Sequence, residues 1–317
     1  MKLATTIGDF KKYASTWAEA VSLFKDTGFR YLDFDFYSST IGSGSPFLSD
    51  DWMTHVAAAG EAAAQLGFTF VQAHSPQYNP LNPNQLNPNL NQDKHMTAIN
   101  RAIEACGYLG IPNIVMHSGM SSDFPYPGGK KSYFAAARKF HESFFPMMEK
   151  YNVNVLIENI DHVNMEDNYY FHSGEDMVEF IEYCNHPLLH ACWDVGHANI
   201  DKRDQYQDIC KIGKHLRGVH IQDNFGEFDD HVAPFMGVLN LDAIMHGLID
   251  TGYTGYFTFE ALNLMPHEKT ATHRKLKSPS ISDNKLGSPS VELRRAAEKL
   301  LYEIGKYILT QYDCFEE

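Results

Sequence analysis

Six metal-competent or titratable side chains each stand at the point where a short apolar segment ends. They end the segments FVQAH, IVMH, NVLIE, ACWD, GVHI and YFTFE, and are His74, His117, Glu158, Asp194, His220 and Glu260. If these segments are parallel strands, their carboxyl ends lie on one side of the sheet and the side chains face a common cavity. A single histidine at a strand end is usually a packing residue, but six such positions in succession indicate a functional site.

Four of these residues predict a metal centre. Glu158, Asp194, His220 and Glu260 would bring three carboxylates and one imidazole together, and like charges at close range repel strongly in a low-dielectric site. A divalent cation removes that repulsion, and mixed oxygen and nitrogen ligands suit Mn, Zn, Mg or Co. A buried salt-bridge network is the alternative, but no lysine or arginine stands at an equivalent strand end. We therefore predict that these four residues hold one divalent metal ion.

The elements that must position these residues repeat along the chain. A helical stretch ends in glycine and a short apolar strand follows, within segments 25–36, 65–74, 108–117 and 250–260. Four further segments complete a set of eight strands: 2–7, 152–159, 188–196 and 216–223. Helical periodicity separates them, for example from a capping box at Thr16 to about Asp26 and over 134–150.

Alternating strands and helices predict a parallel sheet, and eight units predict an α/β fold, a closed (β/α)8 TIM barrel. We expect one barrel domain over 1–317. A doubly wound open sheet is the structural alternative, but no G-x-G-x-x-G follows the first strand.

Two long loops leave the carboxyl ends of predicted strands. Segment 75–93 is rich in Pro and Asn, and 267–290 is basic and rich in Ser and Pro. The second loop carries a local charge of 5 − 2 = +3 from Lys269, Arg274, Lys275, Lys277 and Lys285 against Glu268 and Asp283. We expect both loops to close over an anionic substrate; solvated insertions without a role are the alternative.

Composition and charge exclude several classes of protein. The 317 residues are 44% hydrophobic and 21% charged, which is typical of a globular protein. The net charge is 26 − 40 = −14, which disfavours binding to nucleic acid. No apolar run is long enough for a membrane span, the N-terminus lacks the apolar region of a signal peptide, and the five cysteines form no C-x-x-C pair. We expect a cytoplasmic protein with reduced thiols and no membrane or nucleic-acid partner; a homo-oligomer is possible.

The sequence resembles the sugar phosphate isomerase/epimerase superfamily with a xylose isomerase-like barrel, which also includes endonuclease IV-type apurinic-site endonucleases. The resemblance rests on HSP at 74–76, MHSG at 116–119, ENI at 158–160, DVGHAN at 194–199, HIQDN at 220–224, DDH at 229–231 and TFEA at 258–261. It implies that Glu158, Asp194, His220 and Glu260 hold the catalytic metal and that His197 contacts substrate.

The resemblance favours a metal-dependent isomerase or epimerase of a sugar, keto-sugar or sugar phosphate. In that chemistry the metal stabilises an enediolate while Glu158 and Glu260 remove and return a proton. We expect the substrate-binding residues to be His74, His117, His197, Gln222 and His231. Two positions depart from free-ketose 3-epimerases, where a carboxylate and an arginine stand in place of Asn164 and Gly226.

Other functions remain open. The endonuclease IV class binds three zinc ions, and His74, His117, His197, Asp229 and His231 stand at all the additional ligand positions. The acidic net charge argues against that function. A dehydratase of a cyclic polyol and a non-catalytic sugar-binding barrel are further alternatives, although a binding protein would not need an intact set of metal ligands.

Overall fold

A computed structural model describes residues 1–36, 46–82, 92–162, 165, 168–266 and 287–317. Eight parallel strands, each hydrogen-bonded to the next and the last to the first, close into a barrel. The strands are β1 Lys2–Thr6, β2 Tyr31–Asp35, β3 Thr69–His74, β4 Asn113–Met116, β5 Asn154–Glu158, β6 Leu189–Asp194, β7 Leu216–Ile221 and β8 Tyr256–Phe259. The predicted fold class and all eight predicted strands are confirmed.

Helices cover the outside of the barrel. In the described part of the chain the α-helices are α1 Trp17–Ser22, α2 Trp52–Leu66, α3 Gln92–Leu109, α4 Lys130–Glu142, α5 Phe145–Tyr151, α6 Gly174–Cys184, α7 Val195–Ile200, α8 Gln205–Ile212, α9 Leu241–Asp250 and α10 Val291–Gln311. The glycine that ends α2 shows why the repeated pattern works: Gly67 adopts a left-handed conformation with φ 76° and turns the chain into β3. No helix among these is both long and apolar enough to cross a membrane.

Two predicted helices differ from the observed ones. The Thr16 side chain caps α1 as expected, but the α-helix ends at Ser22, because the following amides bond three residues back in tighter turns. The predicted helix over 134–150 is two helices, α4 and α5. Pro146 lies in the first turn of α5, where its missing N–H is tolerated, and this position suits the start of a helix rather than its interior.

The apolar core lies mainly between the barrel wall and the helices. Inside the barrel, a small separate cluster of Val115, Leu156 and Cys192 fills the space below the carboxyl ends of the strands. A closed and filled barrel gives the strand ends a rigid base, which is what a metal centre requires. All five cysteines are free thiols.

The two long loops predicted to close over substrate include residues that the structure does not describe. Residues 83–91 of the loop 75–93 and residues 267–286 of the loop 267–290 lie outside the described residues, as does Asn164. The expected role of the basic loop in binding an anionic substrate therefore stays a prediction.

Candidate metal and active site

The carboxyl ends of β5 to β8 bring the four predicted metal residues together. Glu158, Asp194, His220 and Glu260 each offer a ligand atom, and these atoms all lie within 4.8 Å of one another. His220 Nδ1 lies 2.7 Å from Glu158 Oε1 and 3.5 Å from Glu260 Oε2. The site is therefore a compact group of three carboxylates around one imidazole.

The start of α7 fixes the carboxylate of Asp194. Oδ1 accepts the main-chain N–H of His197 at 2.7 Å as a helix N-cap. The side-chain amide of Asn159 bonds both main-chain groups of Asp194, at 2.7 Å and 2.8 Å. Gly196 is required here, because an added Cβ would lie 2.1 Å from the side chain of Gln222. Asp194 is fully buried, and its Oδ2 has no hydrogen-bond partner within the described residues.

The electrostatics of this cluster favour the binding of a cation. Burial, together with the neighbouring carboxylates of Glu158, Asp229 and Glu260, raises the pKa of Asp194 to about 7. Although burial opposes its charge, the pKa of Glu158 lies well below its ordinary value because His220 and two other histidines bond it. In the described part of the chain, the ion pairs of the cluster involve histidines and no lysine or arginine. The donor set and the bare oxygen of Asp194 therefore fit a divalent cation.

Two histidines from β3 and the end of β4 extend the cluster on one side. His74 Nε2 and His117 Nε2 lie 3.3 Å and 2.8 Å from the same oxygen, Glu158 Oε2. The other ring nitrogen of His74 lies 3.2 Å from the main-chain oxygen of Ser75. With a proton held at Nδ1, Nε2 donates a second proton to Glu158 when the ring is charged, and offers its lone pair to a cation when the ring is neutral.

A similar group extends the cluster on the other side. His197 Nε2 and His231 Nε2 lie 3.4 Å and 2.8 Å from Asp229 Oδ2. Their Nδ1 atoms lie 2.8 Å and 2.6 Å from the main-chain oxygens of Asn159 and Glu260. With Nδ1 donating to these oxygens, each Nε2 faces the carboxylate. A charged imidazole donates its second proton to Asp229, and a neutral one offers its lone pair to a cation.

The five predicted substrate-binding residues all lie in or against these clusters. His74, His117, His197 and His231 each face a carboxylate, so they can serve as metal ligands as well as substrate contacts. Gln222 Nε2 donates to Asp229 Oδ1 at 2.6 Å and lies 3.3 Å from Asp194 Oδ1. The roles of these five residues toward substrate stay predictions. Gly226, named above as a departure from the free-ketose 3-epimerases, adopts φ 81° in a turn beyond β7.

Three residues that the sequence analysis did not single out support the site. Gln72 lies with its amide nitrogen 3.0 Å from His220 Nε2, and Asn159 anchors Asp194 and His197. Asp33 on β2 is buried inside the barrel, and burial raises its pKa to about 6. A signal for Gln72 was available: it stands two residues before His74 on β3, and strand alternation places both on the same face.

The family follows from a match that covers seven of the eight strands, β2 to β8. A model of the family described as xylose isomerase-like TIM barrel matches residues 21–276. The chain belongs to this family. The match includes all nine residues of the three clusters, from His74 to Glu260.

Curated relatives match this xylose isomerase-like chain over part of their length. An uncharacterized protein, y4fM, of Sinorhizobium fredii is 29% identical over 160 residues, which is 50% of this chain and 50% of that protein. Fructoselysine 3-epimerase of Escherichia coli O157:H7 is 28% identical over 96 residues, which is 30% of this chain and 35% of that enzyme. The chain thus spans half or less of the length of these relatives.

Solved structures share the barrel over nearly the whole chain. D-psicose 3-epimerase from Clostridium cellulolyticum H10 superimposes with a TM-score of 0.70 at 15% identity, covering 98% of this chain and 99% of that one. 3-Keto-D-glucoside 4-epimerase from E. coli superimposes with a TM-score of 0.64 at 15% identity, covering 96% and 99%. At this identity the likeness establishes the fold.

Proposed function

We propose that this chain is a divalent-metal-dependent isomerase or epimerase of a sugar, keto-sugar or sugar phosphate that works through an enediolate intermediate. The observation that carries the proposal is the pair of carboxylates, Glu158 and Glu260, which both lie next to Nδ1 of His220 in one cluster with Asp194. The similarity to a fructoselysine 3-epimerase and the fold shared with a D-psicose 3-epimerase support a sugar substrate.

The cluster would bind the metal ion, and two of its carboxylates would also transfer the proton. A divalent cation bound there supplies Lewis-acid stabilisation for the negative charge that develops on the substrate oxygens. The side chain of Glu260 is 20% exposed and that of Glu158 only 1%. Glu260 is therefore the more accessible base for removing a proton from the carbon beside the carbonyl.

The proton balance of the reaction is simple. The C–H bond breaks, its proton moves to the carboxylate of Glu260, and its electron pair enters the enediolate. For the epimer, Glu158 takes a proton from the charged imidazole of His74 or His117 bonded to its Oε2 and gives it to the same carbon from the other face, while Glu260 releases its proton to solvent. For the isomer, Glu260 returns its proton to the neighbouring carbon, and the hydroxyl proton moves to the former carbonyl oxygen. His197 and His231, which are largely buried at the edge of the cluster, can donate to substrate hydroxyls.

A test of this proposal is solvent proton exchange. The chain, freed of metal by a chelator and reloaded with Mn, Zn, Mg or Co in turn, is incubated with a panel of ketoses, aldoses and their phosphates in D2O. We expect metal-dependent incorporation of deuterium beside the carbonyl of at least one sugar, measured by NMR. Absence of exchange with every sugar and every metal would contradict the proposal.

A zinc-dependent, endonuclease IV-like phosphodiesterase is the second candidate. The observation that favours it is the pair of additional clusters, His74–His117–Glu158 and His197–Asp229–His231, with imidazoles held toward carboxylates. Together with the central cluster they offer donors for three cations, which suits the cleavage of a phosphodiester. The net charge of −14 argues against a long nucleic-acid duplex as its substrate.

Metal stoichiometry and a simple phosphodiester separate the two candidates. Zinc-dependent hydrolysis of bis(p-nitrophenyl) phosphate, lost in Asp229→Asn and His231→Gln, would favour the phosphodiesterase. Sugar exchange supported by one metal ion in the central cluster would favour the isomerase or epimerase.

A further inference from the structure

A fourth group of metal-competent side chains lies outside the three clusters at the barrel mouth. His162, His172 and Asp201 each offer a ligand atom, and these atoms all lie within 4.8 Å of one another. His162 lies in the loop after β5, His172 lies just before the cap of α6, and Asp201 is the C-cap of α7. The group shares no residue with the clusters around Glu158.

The backbone brings these three residues together. The N–H of Ile160 donates to the main-chain oxygen of Phe171 at 3.0 Å, which joins the two ends of the loop after β5. The N–H of His162 donates to both carboxylate oxygens of Asp201, at 3.1 Å and 3.0 Å. These bonds fix the orientation of the carboxylate.

The imidazole of His172 is buried and lacks a hydrogen bond at one nitrogen. The residue is 7% exposed, and Nε2 has no hydrogen-bond partner within the described residues. Asp176 Oδ2 lies 3.8 Å away, beyond hydrogen-bonding distance, and accepts the hydroxyl of Ser173 at 2.7 Å. Burying an unpaired polar atom is unfavourable, and a cation would provide the partner that this nitrogen lacks.

The neighbouring positive charges are neutralised by their own partners. Lys130 Nζ lies 2.7 Å from Asp176 Oδ1. Arg203 makes two bonds to Asp208, at 2.8 Å and 3.0 Å. The ring of Tyr126 packs against both histidines, with centroids 5.6 Å from His162 and 4.8 Å from His172, and covers the group.

We propose that His162, His172 and Asp201 bind a zinc ion at a site separate from the catalytic clusters. Two imidazole nitrogens and one carboxylate oxygen, with water as a fourth ligand, are a common zinc environment. The ion would join the loop after β5 to the end of α7, the helix that begins at Asp194 and carries His197. Its role would be to hold these elements together, not to take part in the reaction.

Anomalous diffraction tests the site directly on the full chain. Crystals of the wild-type protein grown with zinc are measured on both sides of the zinc absorption edge. We expect an anomalous peak within about 2.3 Å of the ligand atoms of all three residues. Zinc peaks at the mouth of the barrel without one at this site would overturn the proposal.

Zinc content of variants provides an independent test in solution. His162→Gln and Asp201→Asn, which change different elements, should each lose one zinc per chain relative to wild type. His246→Gln changes an exposed histidine on α9 and should lose none. Glu158→Gln removes the ligand shared by two catalytic clusters and should leave the zinc at this site in place. Full zinc content in both His162→Gln and Asp201→Asn would overturn the proposal, whatever the outcome at the catalytic clusters.

Discussion

Two buried groups of carboxylates in this barrel are neutralised in opposite ways. Behind the wall, Asp9 after β1 and Glu298 on α10 both lie 2.6 Å from Nη2 of Arg294, which is 1% exposed. At the mouth, Glu158, Asp194 and Glu260 are faced by histidines and by no lysine or arginine of the described chain.

The difference separates a structural network from a functional one. A guanidinium is permanently charged and satisfies its carboxylates from within the protein. Imidazoles can release their protons and present lone pairs, so carboxylates paired with them alone form a site that a metal ion can complete. The kind of cation next to a buried carboxylate is thus a better guide to function than the burial itself.

The largest contrast is expected from matched amide substitutions. Glu260→Gln keeps the size of the side chain but removes a charge and the proposed base, so we expect kcat to fall about 10²- to 10⁴-fold with the fold retained. Glu298→Gln should leave kcat unchanged. Deuterium exchange on the sugar identified by the panel measures kcat, and circular dichroism checks the fold. Wild-type turnover in Glu260→Gln would mean that Glu260 is not the base.

The second-largest effect is expected when the network of Asp9, Arg294 and Glu298 loses its arginine, and it is an effect on stability. Arg294→Met leaves Asp9 and Glu298 buried without their counter-charge, and removes bonds to the main-chain oxygens of Leu262 and Met265. We expect the free energy of unfolding, measured with urea on metal-free protein, to fall by about 3–5 kcal/mol.

A double substitution tests the cause of that loss. Arg294→Met combined with Glu298→Gln should recover part of the stability, because the amide stays neutral beside Asp9 without the free-energy cost of keeping a proton on Glu298 at neutral pH. If the free energy of unfolding falls by less than about 1 kcal/mol in Arg294→Met, the network of Asp9, Arg294 and Glu298 contributes little to stability.

The sequence reveals these two groups unequally. The eight strands and the six residues at strand ends follow from local patterns, namely an apolar run, a preceding glycine in four segments, and a His, Asp or Glu where six of the runs end. The pairing of Asp9 with Arg294 joins the first and last parts of the chain, and no local pattern predicts such a contact. Gln72 and Asn159 were not predicted for a related reason. The role of an amide side chain becomes clear only when the structure shows its partner, which is His220 for Gln72 and Asp194 for Asn159.

The splitting of the helix predicted over 134–150 has a different origin. Its apolar periodicity continues through the proline, so periodicity alone indicates one helix. Pro146 and the turn at 143–144 interrupt it, because a proline ring suits the first turn of a new helix better than the interior of an old one.

A smaller effect is expected from the amide that orients His220. When Nδ1 of His220 faces a cation, Nε2 carries the proton and donates it to the amide oxygen of Gln72, turned over about its side chain. Gln72→Leu removes that acceptor, and we expect metal affinity to fall about 10- to 100-fold, measured by competition with a chromogenic chelator. Urea unfolding of the metal-free variant serves as the control for packing. Unchanged affinity would limit Gln72 to a packing role.

The smallest effect is a pH dependence that belongs to the network behind the wall. Burial and the neighbouring Asp9 raise the pKa of Glu298 well above its ordinary value. The folded chain therefore keeps the proton while the unfolded chain releases it above about pH 4.5. The stability associated with this proton is fully present below that pH and is lost as the pH rises toward the folded-state pKa, by up to about 1.4 kcal/mol per pH unit.

Glu298→Gln keeps the neutral form at every pH and should lack this loss. The free energy of unfolding of metal-free Glu298→Gln, minus that of metal-free wild type, should thus increase as the pH rises from about 4.5. Glu303→Gln, at an exposed glutamate of the same helix, should show no such trend. A difference that stays flat with pH would mean that Glu298 is ionised in the folded chain. Arg294 would then neutralise two charged carboxylates, and the contrast with the mouth of the barrel would rest on the identity of the cation alone.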